Sequence, residues 1–290
     1  MGNFRIITDS TTDLTPALIE ELGVQVVPLC YMMGGRTYHN IPGGGEMDEP
    51  AFYNKLRGGA VSTTTQINSE EFLQVFTPLL EAGEDVLYIA FSSGLSGTCQ
   101  SALLAREELK KRFPERRLEV FDSLCASMGE GLLVYHAAKL CQEGKSLDEV
   151  LAWLKENVLR LCHWFTVDDL NHLKRGGRVS TATALVGTML GIKPVLHVDD
   201  EGHLIPVSKV RGRKQSLDAL VKRMEETVED PSNQMVFISH GDCLEDAQYV
   251  EQQIREKLGV QQVIIGYIGP VIGAHSGPGT VALFFLGRER

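Results

Sequence analysis

No run of apolar residues in this 290-residue chain is long enough to cross a bilayer, so stable membrane insertion is not expected. Cysteine is sparse and scattered: Cys30, Cys99, Cys125, Cys141, Cys162 and Cys243, with no CxxC pair. Zinc sites need closely spaced ligand pairs, and disulfide-built small domains need a dense cysteine framework. Neither pattern is present, which points to free thiols in a reducing compartment. Positive charge is in deficit, with a formal net charge of −10, and this argues against a surface built mainly to grip nucleic acid. The opening MGNFRIITDS lacks the charged and apolar regions of a secretory signal. It also lacks the Ser or Thr that a myristoylation signal carries at its sixth position. A cytoplasmic location is therefore expected. No GxSxG elbow, HExxH, P-loop or GxGxxG after a strand occurs, so the usual hydrolase, zincin, NTPase and dehydrogenase signals are missing. Internal repeats and low-complexity segments are missing too.

What the chain does have is an ordinary apolar fraction of 43%, enough for a sizeable core. Short apolar runs alternate with amphipathic stretches through the first half. Phe4 to Ile7 reads as a buried strand, and Thr15-Pro16 opens a helix that stops at Gly23. Val24 to Met33 reads as one strand-like run, followed by a glycine-rich loop and a short helix near Pro50 to Leu56. A further helix is capped by Asn68 with Glu71 in the capping-box position. Strands at Asp85 to Phe91 and Leu118 to Phe121 each lead into a helix. This alternation predicts a parallel sheet covered by helices, with ligand-binding loops at the carboxyl ends of its strands.

After Gly144 the pattern changes. Ser146 to Leu159 reads as helix and Cys162 to Val167 as strand. Two helices are expected on either side of Lys174 to Arg178. Ile192 to Val198 and Leu204 to Val210 flank Asp199-Asp200-Glu201-Gly202, which is hairpin chemistry. A helix from Lys214, strand Met235 to Ser239, helix Leu244 to Leu258 and strand Val263 to Ile268 follow. The segment Gly269 to Gly279 reads as an irregular glycine-proline loop leading into a final strand. We expect an α/β fold in two α/β domains, residues 1–160 carrying the polar loops and residues 161–290 carrying the hairpin and the terminal histidine loop.

Several polar segments compete for a functional role. Ser92-Ser93-Gly94-Leu95-Ser96-Gly97-Thr98 joins a strand to a helix start, where free N–H groups and the macrodipole attract anions. Its serines serve equally well as plain helix caps. Ser62-Thr63-Thr64-Thr65-Gln66 reads as a hydroxyl-rich turn or as a second set of neutral donors. Neutral donors suit a carboxylate in an apolar tunnel, because they bring no buried positive charge. Asp9 and Asp13 around Ser10-Thr11-Thr12 suit capping and turn formation better than metal binding. His275 is the most informative single residue, since a histidine donates to carboxylates and titrates near neutrality. His136, His163 and His240 lack comparable context and are expected to be satisfied or exposed. Lys174, Arg175, Arg178, Arg211, Arg213 and Lys214 form a basic set in an acidic protein, suited to solvated ends, an anion contact or an acidic partner.

Taken in order, Ile7 to Leu14, the threonine segment ending in Gln66, and Ser92 to Thr98 resemble the DegV family of bacterial fatty-acid-binding proteins. The resemblance continues through Asp122-Ser123 with Gly129 and Gly131, Leu173 to Ser180, Ile192-Lys193-Pro194, Lys209 to Lys214 and Gly269 to Gly279. It implies a lipid held in a tunnel between the two domains and no other cofactor. It further implies that Thr64 and Ser96 hydrogen-bond the carboxylate, with His275 and Arg211 close by; the hydroxyl run and the helix-start motif add Thr65, Ser93 and Gly97 to the expected site. Such proteins resemble the carrier subunit that presents a long-chain fatty acid to a separate fatty acid kinase catalytic subunit, which makes the acyl phosphate. The basic cluster at Arg175 and Arg178 is then expected to meet that kinase. One departure is visible: the family's Pro-Ser after the glutamine is replaced here by Ile67-Asn68. The competing expectation is an enzyme that uses His275 and the hydroxyl cluster for acyl or phosphoryl transfer on a small anionic substrate.

Overall fold

The computed structural model describes residues 4–43, 45–179 and 191–290. The second helix expected beyond Arg178, and Ser180 of the quoted motif, fall outside them.

Four strands, β1 (Phe4–Asp9), β2 (Gln25–Val27), β6 (Asp85–Ala90) and β7 (Leu118–Asp122), form a parallel sheet in the order β2-β1-β6-β7. A second, antiparallel sheet joins β3 (Cys30–Met33), β4 (Arg36–His39) and β5 (Ser62–Thr65) in the order β4-β3-β5. The expected single run from Val24 to Met33 is thus two strands in two sheets, divided at Pro28, which has no N–H to give a ladder. Gly34 and Gly35, with φ of 60° and 78°, form the tight hairpin turn between β3 and β4. The hydroxyl run expected as a turn is itself a strand. Threonine's branched Cβ suits the pleat, and Thr64 pairs with Tyr31 of β3.

The third sheet has six strands in the order β10-β9-β8-β13-β11-β12. They are β8 (Leu161–Thr166), β9 (Ile192–Val198), β10 (Leu204–Arg211), β11 (Met235–His240), β12 (Gln262–Tyr267) and β13 (Val281–Leu286). Only β11 and β12 run parallel; the other pairings are antiparallel.

The helices among the described residues are α1 (Pro16–Leu22), α2 (Glu49–Arg57), α3 (Ser69–Glu81), α4 (Thr98–Arg112), α5 (Met128–Gln142) and α6 (Leu147–Asn157). The rest are α7 (Asn171–Arg175), α8 (Arg213–Thr227), α9 (Leu244–Leu258) and α10 (Pro270–Ser276). Their ends follow local chemistry: Thr15 caps α1, Gly23 ends it in the left-handed region, and Asn68 with Glu71 closes the capping box of α3. The Gly269 to Gly279 segment, expected as irregular loop, contains α10, because Pro270 occupies the first helical turn where its missing N–H costs nothing. No helix among the described residues is long and apolar enough to cross a membrane.

Period-two alternation along the strands divides the interior into layers. Ile7, Val86 and Tyr88 point from the first sheet toward α2, α3, α4 and the small sheet, where Phe52, Phe72 and Phe76 fill the space. Ile6, Leu87 and Ile89 point the other way, onto α5. That helix carries buried residues around its whole circumference, since its far side packs on Phe237 and Phe284 of the third sheet. Phe285, Val236 and Ile238 face outward beneath α8 and α9. Two glycines set the depth of α5: a Cβ at Gly129 would lie 2.9 Å from the Phe284 ring, and one at Gly131 would lie 2.8 Å from the Thr12 carbonyl.

Candidate functional site

The loops after β1, β6 and β7 emerge together at the carboxyl edge of the parallel sheet, as expected for a binding edge. Across from them stand β8, β13 and α10. Between them lies a cavity with about 170 Å3 accessible to the centre of a water molecule. Leu29, Phe91, Leu95, Phe165, Leu173 and Val271 contribute apolar wall. Thr64, Thr65, Gln66, Ser96, Gly97, Arg178 and His275 contribute polar groups.

Thr64 reaches the cavity because it occupies an inward position of β5, while Thr63 alternates to the exposed face. Its Oγ1 lies 2.8 Å from Nε2 of His275, at the end of α10. Nδ1 of that imidazole has no partner. It is packed against Gly176, where a Cβ would collide with the ring nitrogen. Burial, followed by the positive charge of Arg178, pushes the His275 pKa down to about 4. The ring is thus neutral at physiological pH, whereas the sequence suggested titration near neutrality. The tautomer that leaves the orphan nitrogen as an acceptor has Nε2–H donating to Thr64, which frees the threonine O–H to donate onward.

On the facing loop, Ser96 Oγ lies 2.9 Å from Thr98 Oγ1 and accepts the Thr98 N–H at 3.2 Å. Gly97, also on the lining, starts α4 and has no side chain to cap its first turn, where Ser96 Oγ takes the Thr98 N–H instead. Gln66 lies against Gly97, where any Cβ would strike Gln66 Oε1, and its Nε2 donates to Ser101 at 3.3 Å. The tip of the β9–β10 hairpin covers the loop: Ser92 Oγ donates to the Gly202 carbonyl at 2.9 Å. Gly94 is needed there, because a Cβ would approach Glu201 O to 2.8 Å.

The structure redistributes the basic residues. Arg178 lines the cavity, with Nε and Nη2 donating to the Leu95 carbonyl at 3.2 and 3.1 Å. Burial lowers its pKa, yet a guanidinium starting from 12.5 stays charged. Arg211, expected beside the head group, is exposed at the end of β10 and is not among the lining residues. Ser93 is also exposed and off the lining; its backbone N–H donates to Asp122. Lys174 and Arg175 are exposed, and Arg213 is engaged by Asp246.

Asp9 and Asp13 are taken up by protein donors. Asp9 accepts from the Thr11 N–H, the Tyr88 hydroxyl and the Phe91 N–H. Asp13 accepts from Ser127 Oγ at 2.6 Å and from the Gly269 N–H at 2.9 Å, tying the first loop to the start of α10. Burial pushes the Asp13 pKa up to about 8. No group of three or more metal-ligating side chains occurs among the described residues.

Sequence reasoning did not single out four further polar lining residues, Ser127, Ser276, Thr280 and His163. Ser127 has φ 54° at the start of α5, and nothing local in the sequence announces it. Ser276 follows His275 directly, which was a usable signal. His163 was expected to be satisfied or exposed; it is buried, and its Nδ1 has no partner.

An α/β protein with a mostly apolar cavity that carries a few polar side chains, and without a metal-ligand cluster among its described residues, has the form of a small-molecule binding protein. A family described as Uncharacterised protein, DegV family, matches residues 3–288, and the chain belongs to this family. It is 46% identical to the DegV domain-containing protein CPE0026 of Clostridium perfringens, covering 100% of this chain and 99% of that protein. It is 43% identical to YteA of Lactococcus lactis, covering 99% and 98%. Among solved structures, a DegV lipid-binding protein from Thermotoga maritima superposes with a TM-score of 0.87 at 32% identity over 100% of both chains. A Thermus thermophilus DegV family protein, described by its fatty acid binding, gives 0.87 at 33% identity over 98% of this chain and 99% of that one.

Proposed function

We propose that this protein binds one long-chain fatty acid in the cavity and presents its carboxyl end to a fatty acid kinase catalytic subunit, without catalysing a reaction itself. The observation that carries the reading is one mostly apolar cavity whose lining includes Thr64, Ser96 and His275, with Thr64 and His275 held 2.8 Å apart. Fatty acid binding by the related Thermus protein supports it. Thr64 and Ser96 donate their hydroxyls to the carboxylate, with His275 fixing Thr64, and Thr65, Gly97 and the α4 N–H groups line the approach. Arg178 supplies the positive charge at this end. Arg211, Lys174 and Arg175, all exposed, suit contact with the kinase, and Ser93 is exposed as well. The two domains proposed to flank the ligand are residues 1–160 and 161–290, and a cytoplasmic setting fits a carrier of this kind.

Burying an acyl chain at ~0.8 kcal/mol per methylene yields on the order of 10 kcal/mol before the costs of association. The apolar wall therefore supplies most of the affinity, and the polar end sets orientation. One observation favours a second reading: Thr64 and His275 form a hydroxyl–imidazole pair at 2.8 Å, the spacing of a nucleophile and its base. Against it, His275 Nδ1 has no carboxylate behind it to orient the ring. Mass spectrometry of organic extracts from the purified chain separates the two. The carrier reading expects one fatty acid per chain, diminished in Ser96→Ala and His275→Ala, and no turnover without a partner. A chain that stays empty when fatty acid is supplied overturns it.

A further inference from the structure

His163 is 4% exposed and lies on β8, facing α5, where it lines the same cavity. Its ring lies between apolar neighbours, with centroids 4.6 Å from Phe284 and 5.6 Å from Phe165. Gly129 covers it from α5; a Cβ there would stand 3.5 Å from Nδ1. The backbone of His163 is served, since its carbonyl contacts His197 Nδ1 at 3.2 Å, but the buried Nδ1 has no partner. Burial, with His197 as the next contributor, holds the imidazole well below its usual pKa, so it is neutral. A neutral imidazole carries one donor and one acceptor, and burying either unpaired is costly. A hydrocarbon wall at this place calls for a leucine or phenylalanine, and the sequence spends a histidine.

The strand register gives the spacing of this residue from the His275 segment along β13. Phe165 pairs with Ala282 and His163 with Phe284, while Thr280, just before β13, bonds the Ser276 carbonyl beside His275. Thr280 to Phe284 is four residues, or ~13 Å at ~3.3 Å each, the span of about ten carbons joined by ~1.5 Å bonds in an extended zigzag. We propose that His163 reads the middle of the acyl chain by hydrogen-bonding a hydroxyl carried there, so that the protein prefers mid-chain hydroxylated fatty acids to unsubstituted ones. This rests on the fatty-acid reading above and specifies its ligand.

The test is direct titration of the delipidated full-length protein with stearic acid and with its 3-, 10- and 17-hydroxy derivatives, for the wild type, His163→Leu and His163→Gln. The wild type is expected to bind the 10-hydroxy acid about tenfold more tightly than stearic acid, with no such gain at the other two positions. His163→Leu is expected to abolish the preference while still binding stearic acid, and His163→Gln to retain part of it. Equal wild-type affinity for stearic and 10-hydroxy acid means that the imidazole meets only water, and overturns the inference. So does a preference that ignores hydroxyl position or survives in His163→Leu. In both cases stearic acid still binds, and the fatty-acid reading stands. Failure of every acid to bind overturns both. If His163→Leu does not fold, the positional series in the wild type decides alone.

Discussion

Gly176 makes no wall of the cavity, yet it is the residue on which the polar end depends most sharply. A Cβ at this position would collide with Nδ1 of His275, while the ring's other nitrogen is held 2.8 Å from Thr64. The backbone there is helical, with φ −73° and ψ −11°, so alanine is free of backbone strain and its whole effect falls on the imidazole. In Gly176→Ala the ring must turn away or the end of α10 must shift. The cost is a hydrogen bond worth about 0.5–1.5 kcal/mol plus the overpacking of a tight contact, about 1–3 kcal/mol. Loss of the hydrogen bond corresponds to fatty acid affinity weakened by roughly three- to tenfold. Loss of stability corresponds to a fall in Tm of about 2–4 °C per kcal/mol. The neighbouring Gly177 is the control: with φ +73° and open space at its Cβ position, Gly177→Ala costs about 1 kcal/mol through backbone strain and leaves His275 untouched. Titration calorimetry on both variants and on the Gly176→Ala/His275→Ala pair closes the cycle. The reasoning is refuted if Gly176→Ala binds fatty acid as tightly as the wild type. It is equally refuted if its effect on affinity persists once the imidazole has been removed.

Thr64→Val keeps the shape of the strand position and deletes the hydroxyl; displacement titration should show affinity reduced about tenfold, with Thr63→Val on the exposed face unchanged. For His275, whose pKa is depressed to about 4, stability should fall by about 3 kcal/mol as pH drops from about 6.5 to 4, because only the unfolded chain takes up the proton in that window. Urea unfolding across that range should show the slope reduced in His275→Gln. Asp13 acts in the opposite sense. Its folded pKa of about 8 exceeds the 3.8 of an unperturbed aspartate, so its contribution is full at low pH and is lost as pH rises from about 4 through 8. Asp13→Asn, which can accept from Gly269 and donate to Ser127, should flatten the stability profile between about pH 4 and 8. Gly94→Ala should lift the hairpin tip from the Ser92 loop and lower Tm, with faster proteolysis at Asp199 to Gly202 as the readout.

Much of the scaffold is legible in the sequence because its signals are local. Thr15-Pro16 and Gly23 bound α1, Asn68 with Glu71 starts α3, and Asp199 to Gly202 turns the β9–β10 hairpin, each through contacts a few residues apart. The strand-end loops were legible for the same reason, and with them Ser96 and Gly97. Where the local reading fails, a distant partner decides. The hydroxyl run at Ser62 becomes strand β5 because β3 offers it an edge, and Val24 to Met33 divides because two sheets compete for it on either side of Pro28.

The sequence by itself therefore determined the family, the alternation of helices and strands, and the residue types able to hold a carboxylate. Only the tertiary structure decided which of them meet. Thr64 and His275 are 211 positions apart and touch because α10 packs against β5. Arg178 lines the cavity while Arg211 stays outside it, and His163 joins the lining with its buried Nδ1 unpartnered. Caps and periodicities act over one or two turns of chain, whereas the walls of a cavity are set by how separate sheets and helices pack, and no short-range signal encodes that.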